Sequence, residues 1–162
     1  MNIGVISDVH GDREALQTAL ERLDNYHQVD QIVCAGDLIG RGTHENEVVE
    51  VFRQRAIPTV CGNHDESVRH LEKDNRTYLR ELPLDWEDEL AGRRLFMCHG
   101  KPGSNMWGLY RDHASDTLLN MMLVSLDVDV LITGHTHVPM FVRLQRGCVV
   151  NPGSLYTFKS AR

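Results

Sequence analysis

Residues 3–12 read Ile-Gly-Val-Ile-Ser-Asp8-Val-His10-Gly-Asp. A short apolar run ended by polar residues and glycine is the pattern of a buried strand. The Asp8-x-His10 pair therefore falls just past a strand's carboxyl end. The arrangement recurs four times. Residues 32–35 precede Gly36-Asp37, residues 57–61 precede Gly62-Asn63-His64-Asp65, residues 95–98 precede His99-Gly100, and residues 128–133 precede Gly134-His135-Thr136-His137. Open α/β sheets place ligands at the carboxyl ends of their strands. Asp8-x-His10 or His135-x-His137 alone would pass for an ordinary turn. Five such fragments in order deliver carboxylates, imidazoles and one amide to a common edge.

Between the strands the pattern is helical. Gly11-Asp12 opens a helix in which Ala15, Leu16, Ala19, Leu20 and Leu23 form one apolar face. Thr43 is the expected cap of a second helix, with Glu45 and Glu47 in its first turn. Residues 66–82 read as a mostly polar helix closed by Pro83, and residues 86–92 as a surface strand and turn. Ser115 should cap a helix burying Leu118, Leu119, Met122 and Leu126, with Met121 also assigned to the core. Residues 140–144 and 148–150 flank Gln145-Arg146-Gly147 as a hairpin. Crossover helices first and a hairpin late imply mixed sheets.

The chain of 162 residues is expected to form a single domain, residues 1–162. Its net charge of −6 argues against a large nucleic-acid surface, and no apolar stretch is long enough to span a membrane. The amino terminus lacks a signal-peptide pattern. Cys34, Cys61, Cys98 and Cys148 are scattered without metal-ligand spacing, so a reduced, cytoplasmic setting is expected.

Asp8-x-His10, Gly36-Asp37, Gly62-Asn63-His64-Asp65, His99-Gly100 and Gly134-His135-Thr136-His137 together resemble the calcineurin-like metallophosphoesterase superfamily, and its small prokaryotic phosphoesterases above all. The resemblance runs from Ile3 to Asn151-Pro152-Gly153-Ser154. It implies a four-layer α/β/β/α sandwich with a dinuclear metal centre at the strand ends. Asp37 would bridge the two ions. Asp8, His10 and His137 would complete one shell, and Asn63, His99 and His135 the other. His64 would be the general acid facing the leaving oxygen, with Asn63 and Arg41 touching substrate.

The residues carry this chemistry on their own terms. A carboxylate isolated between glycine and leucine, as Asp37 is, suits bridging two cations about 3.5–4 Å apart. The ions would supply a bridging hydroxide at neutral pH without a dedicated protein base. An imidazole can donate a proton near neutrality. His135 and His137, two apart, need a turn to address different ions, and Gly134 is the expected source of it. The expected activity is a metal-dependent phosphodiesterase acting on a small phosphate ester or nucleotide. Alternatives are a monoesterase acting on phosphoprotein or dinucleoside polyphosphate, and a non-catalytic scaffold like the retromer subunit of this superfamily. Manganese is the first choice of metal, with iron, nickel, cobalt and zinc also accepted by mixed nitrogen and oxygen shells.

Two departures stand out. Phosphoprotein phosphatases of the superfamily carry an acid where this chain has Gly40, just before Arg41. The carboxyl end is also short, so a closing strand is expected to be short or missing, leaving residues 148–150 as an edge that a second subunit of a homo-oligomer could cover. Lys101, Trp107 and Tyr110 lie in a loop after His99. Trp107 and Tyr110 could stack a base, but packing beneath the loop is the expected role. His27, His44, His70 and His113 are assigned to the surface.

Overall fold

The computed structural model describes residues 1–67 and 70–156. Strand β1 (Ile3–Ile6) runs parallel to β2 (Gln31–Cys34), with Ile3 opposite Gln31. A second sheet contains β3 (Asp85–Leu90), β4 (Arg93–Cys98), β5 (Val130–Ile132), β6 (Met140–Arg143) and β7 (Cys148–Asn151) in the order β3-β4-β5-β7-β6. Its inner strands β4, β5 and β7 are parallel, and β3 and β6 are antiparallel to their neighbours.

Period-two alternation along these strands builds three cores. Ile6, Ile32 and Cys34 point one way, onto Leu16 and Leu20 of α1 (Arg13–Glu21) and Val48, Val49 and Phe52 of α2 (Glu45–Arg55). Leu79 of α3 (Lys73–Glu81) joins them. Val33 and Ala35 point the other way and meet Leu95, Met97 and Ile132 between the two sheets. Phe96, Leu131 and Val149 face outward onto Leu119 and Leu123 of α4 (Asp116–Leu126). The layers are thus helices, sheet, sheet and helix, as expected. Each large side chain fully buried in them contributes about 1.5–3 kcal/mol. Among the described residues no helix is long and apolar enough to cross a membrane.

Most element boundaries follow their caps. Asp12 accepts a hydrogen bond from Ala15 N at 3.0 Å to start α1, and Ser115 accepts one from Leu118 N at 3.2 Å to start α4. Elsewhere the sequence misleads. Thr43 is not the cap of α2, which starts after His44, whose side chain makes no capping bond. Residues 57–61 do not form a regular strand. Pro58 has no N–H to give, and the segment touches β2 through one bridge, Thr59 to Cys34. The helix expected over 66–82 is confined to Lys73–Glu81, and Val68 and Arg69 of that range lie outside the described residues. On α4, Leu119 and Met122 pack inward, but Leu118 and Met121, each about 100° round the helix from these, are 45% and 60% exposed.

The hairpin of β6 and β7 forms as expected, with Leu144 N donating to Gly147 O at 2.7 Å. However, β7 is not an edge. It lies between β5 and β6, so the open edges of this sheet are β3 and β6, and no second subunit is needed to cover residues 148–150. The expected short closing strand falls on residues 157–162, outside the described residues.

Candidate metal centre

Four motifs leave strands and the third leaves the irregular segment 57–61, and the backbone turns sharply at several of them. Asp8 (φ 54°), His10 (50°), Asp37 (58°), His135 (65°) and His137 (58°) are all left-handed. Non-glycine residues held there cost on the order of 1–3 kcal/mol each, and such strain gathers at functional sites. Backbone bonds across the motifs hold them in place: Asp8 N to Gly36 O at 2.9 Å, and His10 N to Asp37 O at 3.0 Å. The turn expected at Gly134 is made by His135 and His137 themselves, because Gly134 is not in the left-handed region. The two rings diverge as a result.

His137 turns to one cluster. Its Nε2 lies 3.2 Å from Asp8 Oδ1 and 3.1 Å from His10 Nε2. His135 turns to another, with Nδ1 2.9 Å from Asn63 Oδ1 and 3.3 Å from His99 Nε2. Asn63 Oδ1 is also 3.2 Å from His99 Nε2. Asp37 Oδ2 stands between the clusters, 3.6 Å from His10 Nε2 and 3.4 Å from His99 Nε2. The structure therefore brings all seven sequence-derived ligand candidates together, in two groups that share one carboxylate oxygen.

The donor chemistry fits cations. His10 Nδ1 is 3.0 Å from Ile39 O and His99 Nδ1 is 2.7 Å from Ala35 O. Carbonyls only accept, so both Nδ1 atoms carry protons and both Nε2 atoms turn into the site, that of His10 as a lone pair. Burial pushes the His10 imidazole down to about 4, keeping it neutral. Asp8 Oδ1 is buried with no hydrogen-bond partner. Asp8 Oδ1, His10 Nε2 and His137 Nε2 thus converge, and three atoms that can each offer a lone pair make a place that suits a divalent ion. Asp8, His10 and His137 can hold one ion, and both Asp8, Asp37 and His99 and His10, Asp37 and His64 also converge within 4.8 Å.

The acids divide in their ionisation. Burial raises Asp8, against the opposing charge of His99 and the Ser7 hydroxyl. Burial would also raise Asp37, but the hydrogen bond and charge of His99 and the His64 amide outweigh it and hold that carboxyl below its usual range. His99 is pulled down by burial and up by Asp37, and Asp37 wins. Burial and the His99 charge lower His135.

The supporting frame was the part sequence reasoning missed. Asp65 is buried and accepts from the amides of Asp37, Leu38, Ile39 and Gly62 at 2.9, 2.8, 3.2 and 2.9 Å. It fixes the loop that aims Asp37. Its carboxyl is pushed up to about 6 by burial and the neighbouring Asp37. Asn151 Nδ2 donates to Gly134 O at 2.7 Å and so steadies the His135 turn, while Ser154 Oγ donates to Asp8 O at 2.9 Å. The sequence signals were present, in Asp65 closing its motif and in Asn151-Pro152-Gly153-Ser154 following β7.

His64 is half-buried beside this centre, its ring 5.0 Å from that of His10 and its amide on Asp37 Oδ1 at 2.9 Å. Gly40 (φ 117°) lies directly against it. A Cβ at Gly40 would stand 2.5 Å from His64 Nδ1, so no acid can replace this glycine without displacing the ring. Arg41 is exposed and lines a cavity with Asp12, Glu14, His44 and Tyr156, whose ring is 5.8 Å from that of His10. Lys101 is exposed, its backbone paired with Ser104. Trp107 does not pack beneath its loop but is 68% exposed. His27, His44, His70 and His113 are on the surface, His70 paired with Glu45.

Comparison with known proteins identifies the family. Residues 1–161 match the profile of the Calcineurin-like phosphoesterase superfamily domain. A "Probable metallophosphoesterase" of Methanothermobacter thermautotrophicus is 30% identical over 154 residues, covering 95% of this chain and 77% of that protein. A solved metallophosphoesterase from Sphaerobacter thermophilus has a TM-score of 0.75 at 25% identity, covering 96% of this chain and 77% of that one. Vps29 from Entamoeba histolytica, solved with zinc, has a TM-score of 0.63 at 27% identity, covering 95% of this chain and 74% of that one. The chain belongs to the calcineurin-like phosphoesterase superfamily, as a metal-dependent phosphoester hydrolase of its small archaeal and bacterial branch.

Proposed function

We propose that this hydrolase cleaves phosphodiesters, with residues 1–162 acting as one catalytic domain. The observation that carries the reading is Asp37 Oδ2, which faces His10 and His99 at once. In this reading Asp8, His10 and His137 hold one divalent ion, Asn63, His99 and His135 hold the other, and Asp37 holds both. Manganese is the first choice among the metals such a shell accepts. Bound there, the ions supply Lewis acidity, acidifying water toward neutral pH and offsetting charge on the phosphoryl oxygens.

The chain's own residues do the rest. Asn63 turns its Oδ1 toward His99 and His135, which leaves its Nδ2 to donate to a phosphoryl oxygen. His64 gives its proton to the leaving oxygen. Gly40 occupies the place beside His64 where a supporting acid would sit, and Arg41 shares its cavity with the carboxylates of Asp12 and Glu14. A monoester dianion needs more cationic support than this, whereas a diester monoanion does not. A reduced, cytoplasmic setting accords with four free thiols. The test is a metal-panel assay of bis(p-nitrophenyl) phosphate against p-nitrophenyl phosphate. The diester should have the higher kcat/KM at saturating metal, and a monoester preference would overturn the reading.

A further inference from the structure

The loop after His99 is anchored to the metal centre at three points. Asn105, itself buried, donates from Nδ2 to Glu66 Oε1 at 3.0 Å and to Gly62 O at 3.5 Å, tying the loop to the segment that carries Asn63 and His64. A Cβ at Gly100 would stand 2.6 Å from Trp107 O, so the Trp107 backbone lies directly on the residue after His99. A Cβ at Gly108 would stand 2.8 Å from His135 Cδ2 and 3.0 Å from the Tyr110 ring. Trp107 is therefore held between two neighbours of the ligand cluster made by Asn63, His99 and His135. Its side chain is nevertheless 68% exposed, alongside Met106 at 59% and Tyr110 at 43%.

A tryptophan pinned by its backbone and left uncovered by its side chain costs exposed apolar area that an ordinary loop would hide. Its position gives that area a use. The ring of His64 lies 5.0 Å from that of His10, at the other cluster from His135.

We propose that Trp107 is the specificity-determining wall of this site and stacks a flat aromatic group, a nucleobase or aryl ring, on the retained arm of the substrate. This rests on the phosphodiester reading for the identity of the arms, but the stacking itself does not require it. Stacking of a base on an aromatic side chain is tolerant of base identity, so the substrate class is nucleoside or aryl phosphate esters rather than one nucleotide.

The test uses manganese-loaded protein and a binding readout. The probes are the 5′-phosphonate analogue of adenosine monophosphate, whose P–C bond resists hydrolysis, and methylphosphonate. The adenosine compound should bind about tenfold more tightly by calorimetry, the effect typical of one stacked base. Trp107→Ala should remove that advantage and leave methylphosphonate binding and metal content unchanged. Trp107→Phe should keep the advantage but lose the quenching of tryptophan fluorescence seen on binding to the native chain. Equal binding of the two phosphonates, no binding of the adenosine compound, or an undiminished advantage in Trp107→Ala overturns the proposal. A monoester preference in hydrolysis with the base advantage intact would instead overturn only the phosphodiester reading.

Discussion

Asp8, His10 and His99 have no exposed surface, while Met106, Trp107 and Tyr110, one loop away, are 59, 68 and 43% exposed. The two regions touch, yet they are specified by different physics. The ligands sit where buried strands end, and cross-motif hydrogen bonds such as the four amides on Asp65 over-determine their strained backbones. The aromatic loop is fixed by a few contacts at its base, and its tips meet water. Chemistry here is a property of the core and selectivity a property of the rim. Reaction type should therefore be hard to change by substitution, and substrate range easy.

The harshest way to break that contrast is at the shared oxygen. Asp37→Asn keeps the shape of the side chain but places an amide where Oδ2 faces both His10 and His99. Turnover of an aryl diester should fall by at least about 10²–10³-fold. Metal content, measured by elemental analysis on the same sample, should fall with it. A folded Asp37→Asn protein with native activity and native metal would remove the two-ion assignment altogether.

A smaller loss should follow from crowding His64 while leaving every ligand intact. Gly40→Ala introduces a Cβ 2.5 Å from His64 Nδ1 at a φ of 117° that alanine rarely adopts. The ring must move. If His64 protonates the leaving group, kcat should drop by about 10²-fold on esters of poorly acidic alcohols and far less on p-nitrophenyl esters. Metal content should stay native. Equal losses across a leaving-group series would assign His64 to phosphate binding instead.

What the sequence disclosed follows the same division. Strand-end motifs were legible because ligand type and strand-end position coincide in each: Asp37 after residues 32–35, His99 after residues 95–98. The left-handed backbone at His135 and His137 was not, because only the contacts of each ring with a different cluster require it. Residues 57–61 looked like a strand by composition alone, and Pro58 left them one bridge. The position of β7 was misjudged because composition does not separate it from β6. Cys148-Val149-Val150 and Met140-Phe141-Val142 are equally apolar, and it is the pairing of β7 with both β5 and β6 that makes it the inner strand. The exposure of Trp107 had no sequence signal at all. Beside proline and glycine, an aromatic residue packs or projects according to what lies beneath it, and here the space beneath is filled by Gly100 and its neighbours.

The gentlest perturbation tests whether rim and core are separable. Among the described residues, Asn105 is the side chain whose hydrogen bonds join the loop to Glu66 and Gly62, on the segment bearing Asn63 and His64. Asn105→Ala removes a bond to the carboxylate of Glu66, an exposed residue whose exchange with water keeps the net worth near about 1 kcal/mol, roughly a fivefold change in an equilibrium. If the loop only presents Trp107, that change should appear as a rise of about fivefold in KM for nucleoside esters, with kcat and metal content native. Thermal unfolding should shift by no more than about 2–4 °C. If Asn105→Ala instead lowers kcat and releases metal, the loop is part of the scaffold that aims Asn63, and the division between a fixed centre and an adjustable rim is wrong. Steady-state kinetics on an aryl nucleoside diester, run beside metal analysis, decides between the two. The short reach of Asn105, to the backbone of Gly62 rather than to a ligand atom, favours separability.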